Sequence, residues 1–420
     1  MKKTEIVGYV LLLFFFGISL RITVSAQSSS LNRNQSVAFV GAKLYPSPTD
    51  QPISNATVIV TNGRIVFVGK SGKTKIPKGA VRIDCAGLTM TAAFWNSHVH
   101  FTEAKWRSAE SLPAEKLNEY LRAMLTRYGF VRVLDTGSSL KNTLAIKRRI
   151  ETGEVEGPTI LTTGSGFVPP AGSPFYILPS RLPELSAALE AENMVNNRLN
   201  EGADAIKLFT GSWASQDSVV LMPTDIVRAV VSVARRRGKL VVAHPSNGQG
   251  AKAALDGGAD LLVHTFPEPE PLDRAFFERM GRAKMGLIPT LKLFKYEIEK
   301  QNSDPVQVDK VVGRGVEQLR AFNEVGGQIL FGTDVGYMTE YDPSDEYVFM
   351  KRAGLSFSQI LASLTTAPAA RFGHSDSKGV IAPGMDADLV LLSGDPATDI
   401  KALSNVRYTI RGGKIIYQDK

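Results

Sequence analysis

The chain has a single cysteine, Cys85, in 420 residues. That excludes an intrachain disulfide and any cysteine-built metal site, so a bound metal has to take nitrogen and oxygen ligands. Cys85 itself is expected as a small buried apolar residue. Long basic runs are lacking too. The formal charge is +8, yet no stretch of Lys and Arg reaches five residues. The densest cluster, "ARRRGK" at 234–239, reads as the solvated end of a helix, and no nucleic-acid-binding module is present. The apolar run Ile6–Leu20 falls short of the roughly 20 residues a membrane-spanning helix needs. With the basic start Met1-Lys2-Lys3 and the small residues Val24-Ser25-Ala26, it reads as a secretory signal peptide over 1–26. An uncleaved N-terminal anchor is the competing reading. The expected location is outside the cytoplasm, periplasmic or secreted. Cleavage would remove Lys2, Lys3, Arg21 and Glu5, lowering the charge from +8 to +6. An exported chain of this length can dispense with disulfides because its core is large.

Two β-rich segments flank a long alternating region. In the first, Asn62-Gly63 separates two alternating apolar runs, a strong hairpin signal. In the last, Gly412-Gly413 stands at the corresponding place. Residues 36–90 and 376–420 are therefore expected to form one small β-sandwich built from both chain ends. Between them, strand-like and helix-like stretches alternate, which predicts parallel βα units. Eight candidate strands end near "FWNSHVH", "FVRVLDTG", "GPTILTTG", "DAIKLFTG", "KLVVAHP", "DLLVHTF", "MGLIPTL" and "QILFGTD". The fold class is α/β, with a (β/α)8 barrel over residues 91–375.

Histidine is scarce, with five in the chain. Four of them sit at the C-terminal ends of predicted strands: His98 and His100 at the first, His244 at the fifth and His264 at the sixth. His374 lies beyond the barrel strands. Active sites of such barrels assemble at this face. Residues i and i+2 of a strand point the same way, so His98 and His100 aim at one point, as a chelating pair does. Imidazole suits zinc and similar divalent ions. Asp334 ends the eighth strand, which closes beside the first. It reads either as a helix N-cap or as a carboxylate able to bind metal and accept a proton. Lys207 stands among Ile206, Leu208 and Phe209. It reads either as a lysine snorkelling to solvent or as a buried amine. Such an amine can combine with CO2 to give a carbamate that bridges two metals.

These elements resemble those of a metal-dependent amidohydrolase of the imidazolonepropionase-like and prolidase-like branch. The matching pieces are "HVH" (His98, His100), "AIK" (Lys207), "AHPSNGQG" (His244), "GGADLLVHT" (His264), "GTD" (Asp334) and the tail "TTAPAARFG…KGVIAPGMDADLVLL". They span about residues 36–420. One departure is "TAA" at Thr91–Ala93, where the family usually has Pro-Gly before the first strand; no ligand is lost by it. The resemblance implies that His98, His100 and Asp334 hold one divalent ion and His244 and His264 a second. A carboxylated Lys207 would bridge them. Zinc is the expected metal, Asp334 the expected catalytic acid–base, and a hydroxide shared by the metals the expected nucleophile. The expected reaction cleaves an amide bond in a small molecule such as a dipeptide or an N-acyl amino acid. A mononuclear cyclic-amide hydrolase or deaminase and a non-catalytic barrel are the alternatives. The expected partners are the substrate and a homo-oligomer at most, with no nucleic acid and no membrane once the signal is removed. The long loop "GSGFVPPAGSPFYILPSRLPE" after the third strand reads as an ordered lid or a structural loop. Trp213, Asn247, Lys292 and Tyr337 follow strand ends and are candidates for the pocket lining.

Overall fold

A computed structural model of the protein describes residues 36–266 and 272–419. The expected signal peptide lies outside the described residues. Among the described residues no helix is long and apolar enough to cross a membrane. Both chain ends build one eight-stranded sheet. Val37–Leu44, Ile53–Thr61, Arg64–Lys70, Val81–Asp84 and Leu88–Ala92 come from the N-terminal side. Leu389–Ser393, Val406–Arg411 and Lys414–Gln418 come from the C-terminal side. The two sides join where Leu88–Ala92 runs antiparallel to Leu389–Ser393, with Leu389 opposite Ala92 and Ser393 opposite Leu88. Leu389 to Leu392 are all buried, which suits a strand covered on both faces. Cys85 is buried, as expected, and burial pushes its thiol up to about 12.

The two predicted hairpin turns form, and they dock on each other. Asn62 and Gly63 have φ of 52° and 74°, the left-handed pair that a tight hairpin demands. A Cβ on Gly63 would lie 2.9 Å from the carbonyl oxygen of Gly412 in the other turn. Ala387 donates its N–H to the Gly63 carbonyl, and Gly413 donates to Ala387. Glycine is thus required at position 63 by backbone conformation and by space.

The middle of the chain is mixed α/β. Phe94–Val99, Phe130–Asp135 and Thr159–Thr162 form one parallel sheet. Ile206–Phe209, Val241–His244, Leu261–Val263 and Gly286–Ile288 form another. Seven of the eight expected strands are therefore regular. The eighth, near "QILFGTD", is not a regular strand, and Asp334 at its end adopts a left-handed φ of 67°. Its backbone still bonds to both neighbours. Leu330 N–H donates to Leu287 O at 2.9 Å, Ser97 N–H to Phe331 O at 2.7 Å, and Asp334 N–H to His98 O at 2.9 Å. At the other margin, Phe167 exchanges hydrogen bonds with Lys207 O and Phe209 N–H, each 2.9 Å.

The helices between the strands follow their apolar spacing. Thr224–Arg236 buries Ile226, Val227, Val230, Val231, Val233 and Ala234 on one face. Its last turn ends in Arg235 and Arg236, where cations complement the helix dipole. Both are exposed, so the "ARRRGK" cluster is a solvated helix end. The helix Leu291–Glu299 is held from outside by Glu346, on the helix Ser344–Arg352. One Glu346 carboxylate oxygen accepts the Lys292 backbone N–H at 2.7 Å. The other has no partner among the described residues, and burial raises the Glu346 pKa to about 7.

Two stability outcomes follow from these contacts. Gly63→Ala lowers unfolding free energy by about 1–3 kcal/mol, read from the denaturant midpoint, because a non-glycine residue is strained there. Glu346 binds its proton more tightly folded than unfolded. Its contribution to stability is therefore full below its ordinary carboxylate range and is lost as pH rises through about 7. Glu346→Gln keeps an acceptor for Lys292, so it raises the melting temperature at about pH 8 and changes it little at about pH 4.

Candidate metal centre

The strand ends deliver the predicted side chains to one place. His98, His100, Lys207, His244, His264 and Asp334 all line a single cavity of about 720 Å³. Four of them are nearly sealed from solvent: His98 is 1% exposed, Lys207 2%, Asp334 4% and His264 5%. The ring centroids of His98 and His100 lie 5.0 Å apart, those of His98 and His264 4.8 Å, and those of His244 and His264 4.7 Å.

Asp334 stands in the middle of this group. Its Oδ1 lies 2.9 Å from His100 Nε2 and 3.3 Å from His98 Nε2, while Oδ2 lies 3.9 Å from His264 Nδ1. Despite these contacts, Oδ1 is buried with no hydrogen-bond partner. Nitrogen and oxygen atoms meet there without an N–H aligned between them. Ligand atoms of His98, His264 and Asp334 all fall within 4.8 Å of one another. A buried, unpartnered carboxylate oxygen facing imidazole nitrogens fits a divalent cation, and the donor set suits zinc-like ions.

The electrostatics agree with that fit. Burial lowers the His98 pKa to about 3 and holds His244 and His264 well below the usual imidazole value. Neutral imidazoles keep the lone pairs that ligation requires. Burial alone would raise Asp334, but His98 and His100 beside it outweigh burial and hold its carboxylate well below the usual range. Burial brings the Lys207 ammonium down to about 7.

Three hydroxyls that the sequence did not single out fix the rings. Thr136 Oγ1 lies 3.0 Å from His98 Nδ1, Thr290 Oγ1 2.6 Å from His264 Nδ1, and Ser246 Oγ 3.1 Å from His244 Nε2. Each follows a strand end, but threonine and serine are too common there to announce themselves. The backbone is strained at the same points, with left-handed φ at Ser246 (55°), His264 (70°), Thr290 (46°) and Asp334 (67°). Each such residue costs about 1–3 kcal/mol, a pattern that gathers at functional sites. Gly336 passes so close to His100 that a Cβ would sit 1.7 Å from its carbonyl oxygen.

Trp213 and Tyr337 line the cavity as expected, whereas Asn247 and Lys292 do not. Asn247 caps the helix Gly248–Gly257, accepting the Gly250 N–H. Lys292 donates to the carbonyls of Glu340 and Asp342. The long loop is ordered and forms a wall through Pro174, Phe175, Tyr176, Ile177 and Leu182. It is tied down by hydrogen bonds from Val168 to Pro183 and from Ser212 Oγ to Gly172 O.

Comparison with known proteins follows the same lines. The chain is 22% identical to the ochratoxinase of Aspergillus niger over 90% of this chain and 86% of that one. It is 23% identical to the imidazolonepropionase of Thermoplasma acidophilum over 86% of this chain and 89% of that one. Among solved structures, a Xaa-Pro dipeptidase with methionine bound in its active site superposes with a TM-score of 0.79. It is 23% identical and covers 92% of this chain and all of that one. The family model described as "Amidohydrolase family" matches residues 89–416, most of the chain. The chain therefore belongs to the amidohydrolase family, hydrolases that act on carbon–nitrogen bonds.

Proposed function

We propose that the protein is an exported, metal-dependent amidohydrolase that cleaves an amide bond in a small molecule. The observation that carries this reading is Asp334 Oδ1, buried without a hydrogen-bond partner among imidazole nitrogens at the floor of a largely apolar cavity. The names of the relatives, a dipeptidase and an imidazolonepropionase among them, support it. In this reading the two parallel sheets are arcs of one closed (β/α)8 barrel over 91–375. The backbone hydrogen bonds at both margins support the closure. Residues 36–90 and 376–420 form the small β-sandwich beside it.

The proposed cofactor is a pair of divalent ions, zinc by donor type. His98, His100 and Asp334 would hold one ion and His244 and His264 the other, with Lys207, as a carbamate, a ligand to both. When bound, such ions supply Lewis acidity and a water acidic enough to attack near neutral pH. The side chains do the rest. Above about pH 7 the buried Lys207 amine is largely neutral. It adds to carbon dioxide, forming an N–C bond and releasing one proton. Asp334 accepts the proton of the attacking water and delivers it to the departing nitrogen. The water oxygen joins the carbonyl carbon, the C–N bond breaks, and an acid and an amine leave. Thr136 and Thr290 hold the His98 and His264 rings in position. Phe175, Tyr176 and Trp213 keep bulk water from the reacting bond.

A second reading has an observation behind it. One close donor group, with ligand atoms within 4.8 Å of one another, joins His98, His264 and Asp334 across the two proposed metal positions. That favours one ion and a cyclic-amide hydrolase or deaminase. Metal analysis separates the two. The binuclear reading expects close to two equivalents per chain. Lys207→Met then retains about one and loses about 100-fold or more in kcat/KM, at least what weaker indirect partners cost. Protein equilibrated with 13C-bicarbonate shows a carbamate resonance that grows as pH rises through about 7 and is missing from Lys207→Met. One equivalent of metal and an unaffected Lys207→Met variant would select the mononuclear reading.

A further inference from the structure

The cavity is roomy and largely apolar, and its charges are unevenly placed. Above the buried cluster, the walls are Phe175, Tyr176, Trp213, Phe294, Ile298 and Tyr337. Three large apolar residues of the long loop, Phe175, Tyr176 and Leu178, remain exposed around this wall. Tyr176 meets Tyr337 edge to face at 5.7 Å and Phe175 at 5.6 Å. Among the described residues lining the cavity away from the cluster, the only charged side chain is Glu297. It sits beside Tyr337. The remaining polar lining there is neutral, as with Gln216 and Gln301.

Outside the cluster, the nearest cations are already engaged by other groups. Lys300 pairs with Glu297 at 3.0 Å and lies 5.7 Å from the Tyr337 ring, but its side chain is half exposed and Lys300 is outside the lining. Such a pair is weak and screened. Lys292 is committed to backbone carbonyls, and Lys295 pairs with Asp345 at 2.6 Å. A free carboxylate on a substrate would therefore enter an apolar chamber facing a carboxylate. Burying an unpaired charge is costly, and a like charge adds to the cost. An aromatic or alkyl group meets matching walls throughout.

We infer that the cavity selects amides whose two flanking groups are uncharged and lipophilic, with at least one aromatic or long apolar arm. It discriminates against those bearing a free carboxylate, which narrows the expectation of dipeptides and N-acyl amino acids. The inference rests on the amidohydrolase reading for the bond that is cut, but its selectivity is a property of the cavity alone.

A matched pair tests it: N-acetyl-phenethylamine and N-acetyl-phenylalanine, which differ by one carboxylate. Two uncleavable ketone analogues, with a methylene in place of the amide nitrogen, report binding by calorimetry. On the metal-loaded protein the neutral ketone binds about tenfold or more tightly than the carboxylate ketone, and the neutral amide shows the same preference in kcat/KM. Glu297→Gln narrows the gap by improving the carboxylate member. Equal or tighter binding of the carboxylate ketone overturns the inference. Preferred binding of the neutral ketone without turnover of either amide upholds the selectivity and counts against the hydrolase reading instead.

Discussion

The structure depends on one arrangement: a carboxylate sealed among imidazoles, with one oxygen 2.9 Å and 3.3 Å from two of them and left without a hydrogen bond. Left uncompensated, such a group is among the more expensive things a protein can bury. The chain nonetheless commits rigid scaffold to it. Strand ends from distant parts of the sequence bring the ligands in. Threonine hydroxyls lock the rings, and four non-glycine residues hold left-handed backbone around them. Strain of this kind persists only when the surroundings over-determine it. A cation at the centre would satisfy the orphaned oxygen and the neutral nitrogens together.

The rest of the fold supplies the rigidity. The sheet built from both chain ends is stitched by Leu88–Ala92 against Leu389–Ser393, and its two glycine turns lock face to face. That sheet runs straight into the strand Phe94–Val99, so the start of the strand that carries His98 is anchored by residues nearly three hundred positions away. On the opposite side, Glu346 clamps the first turn of the helix Leu291–Glu299, which contributes Phe294, Glu297 and Ile298 to the cavity. A buried carboxyl that is easier to protonate than usual serves there as a fixed acceptor for backbone.

Much of this was legible in the sequence, for physical reasons that differ by element. Five of the six clustered residues stood out because histidine is scarce and because a lysine amid apolar neighbours is rare, and Asp334 because the eighth strand closes beside the first. The i, i+2 spacing of His98 and His100 translated directly into a shared direction. The hairpin turns were legible because few residues accept left-handed φ. The eighth strand read too regularly: apolar spacing could not reveal that the segment would pair through isolated bonds only and end on Asp334 at φ 67°. Thr136, Thr290 and Ser246 were not legible, since their importance lies in which ring they face, a fact of tertiary packing. Asn247 and Lys292 looked like pocket residues by position, but the helix N-terminus and the free carbonyls beside them had prior claim. Nor could composition foresee the charge pattern of the cavity, because Glu297 and Tyr337 come from separate elements.

The central claim is that these imidazoles and this carboxylate share an ionic centre. X-ray absorption at the zinc edge of the metal-loaded protein tests it most directly. The account predicts a first shell of nitrogen and oxygen near about 2.0–2.1 Å with no sulfur, together with the outer-shell scattering of at least two imidazoles per zinc. Zinc held without imidazole scattering, or protein that retains no zinc after desalting, would contradict it.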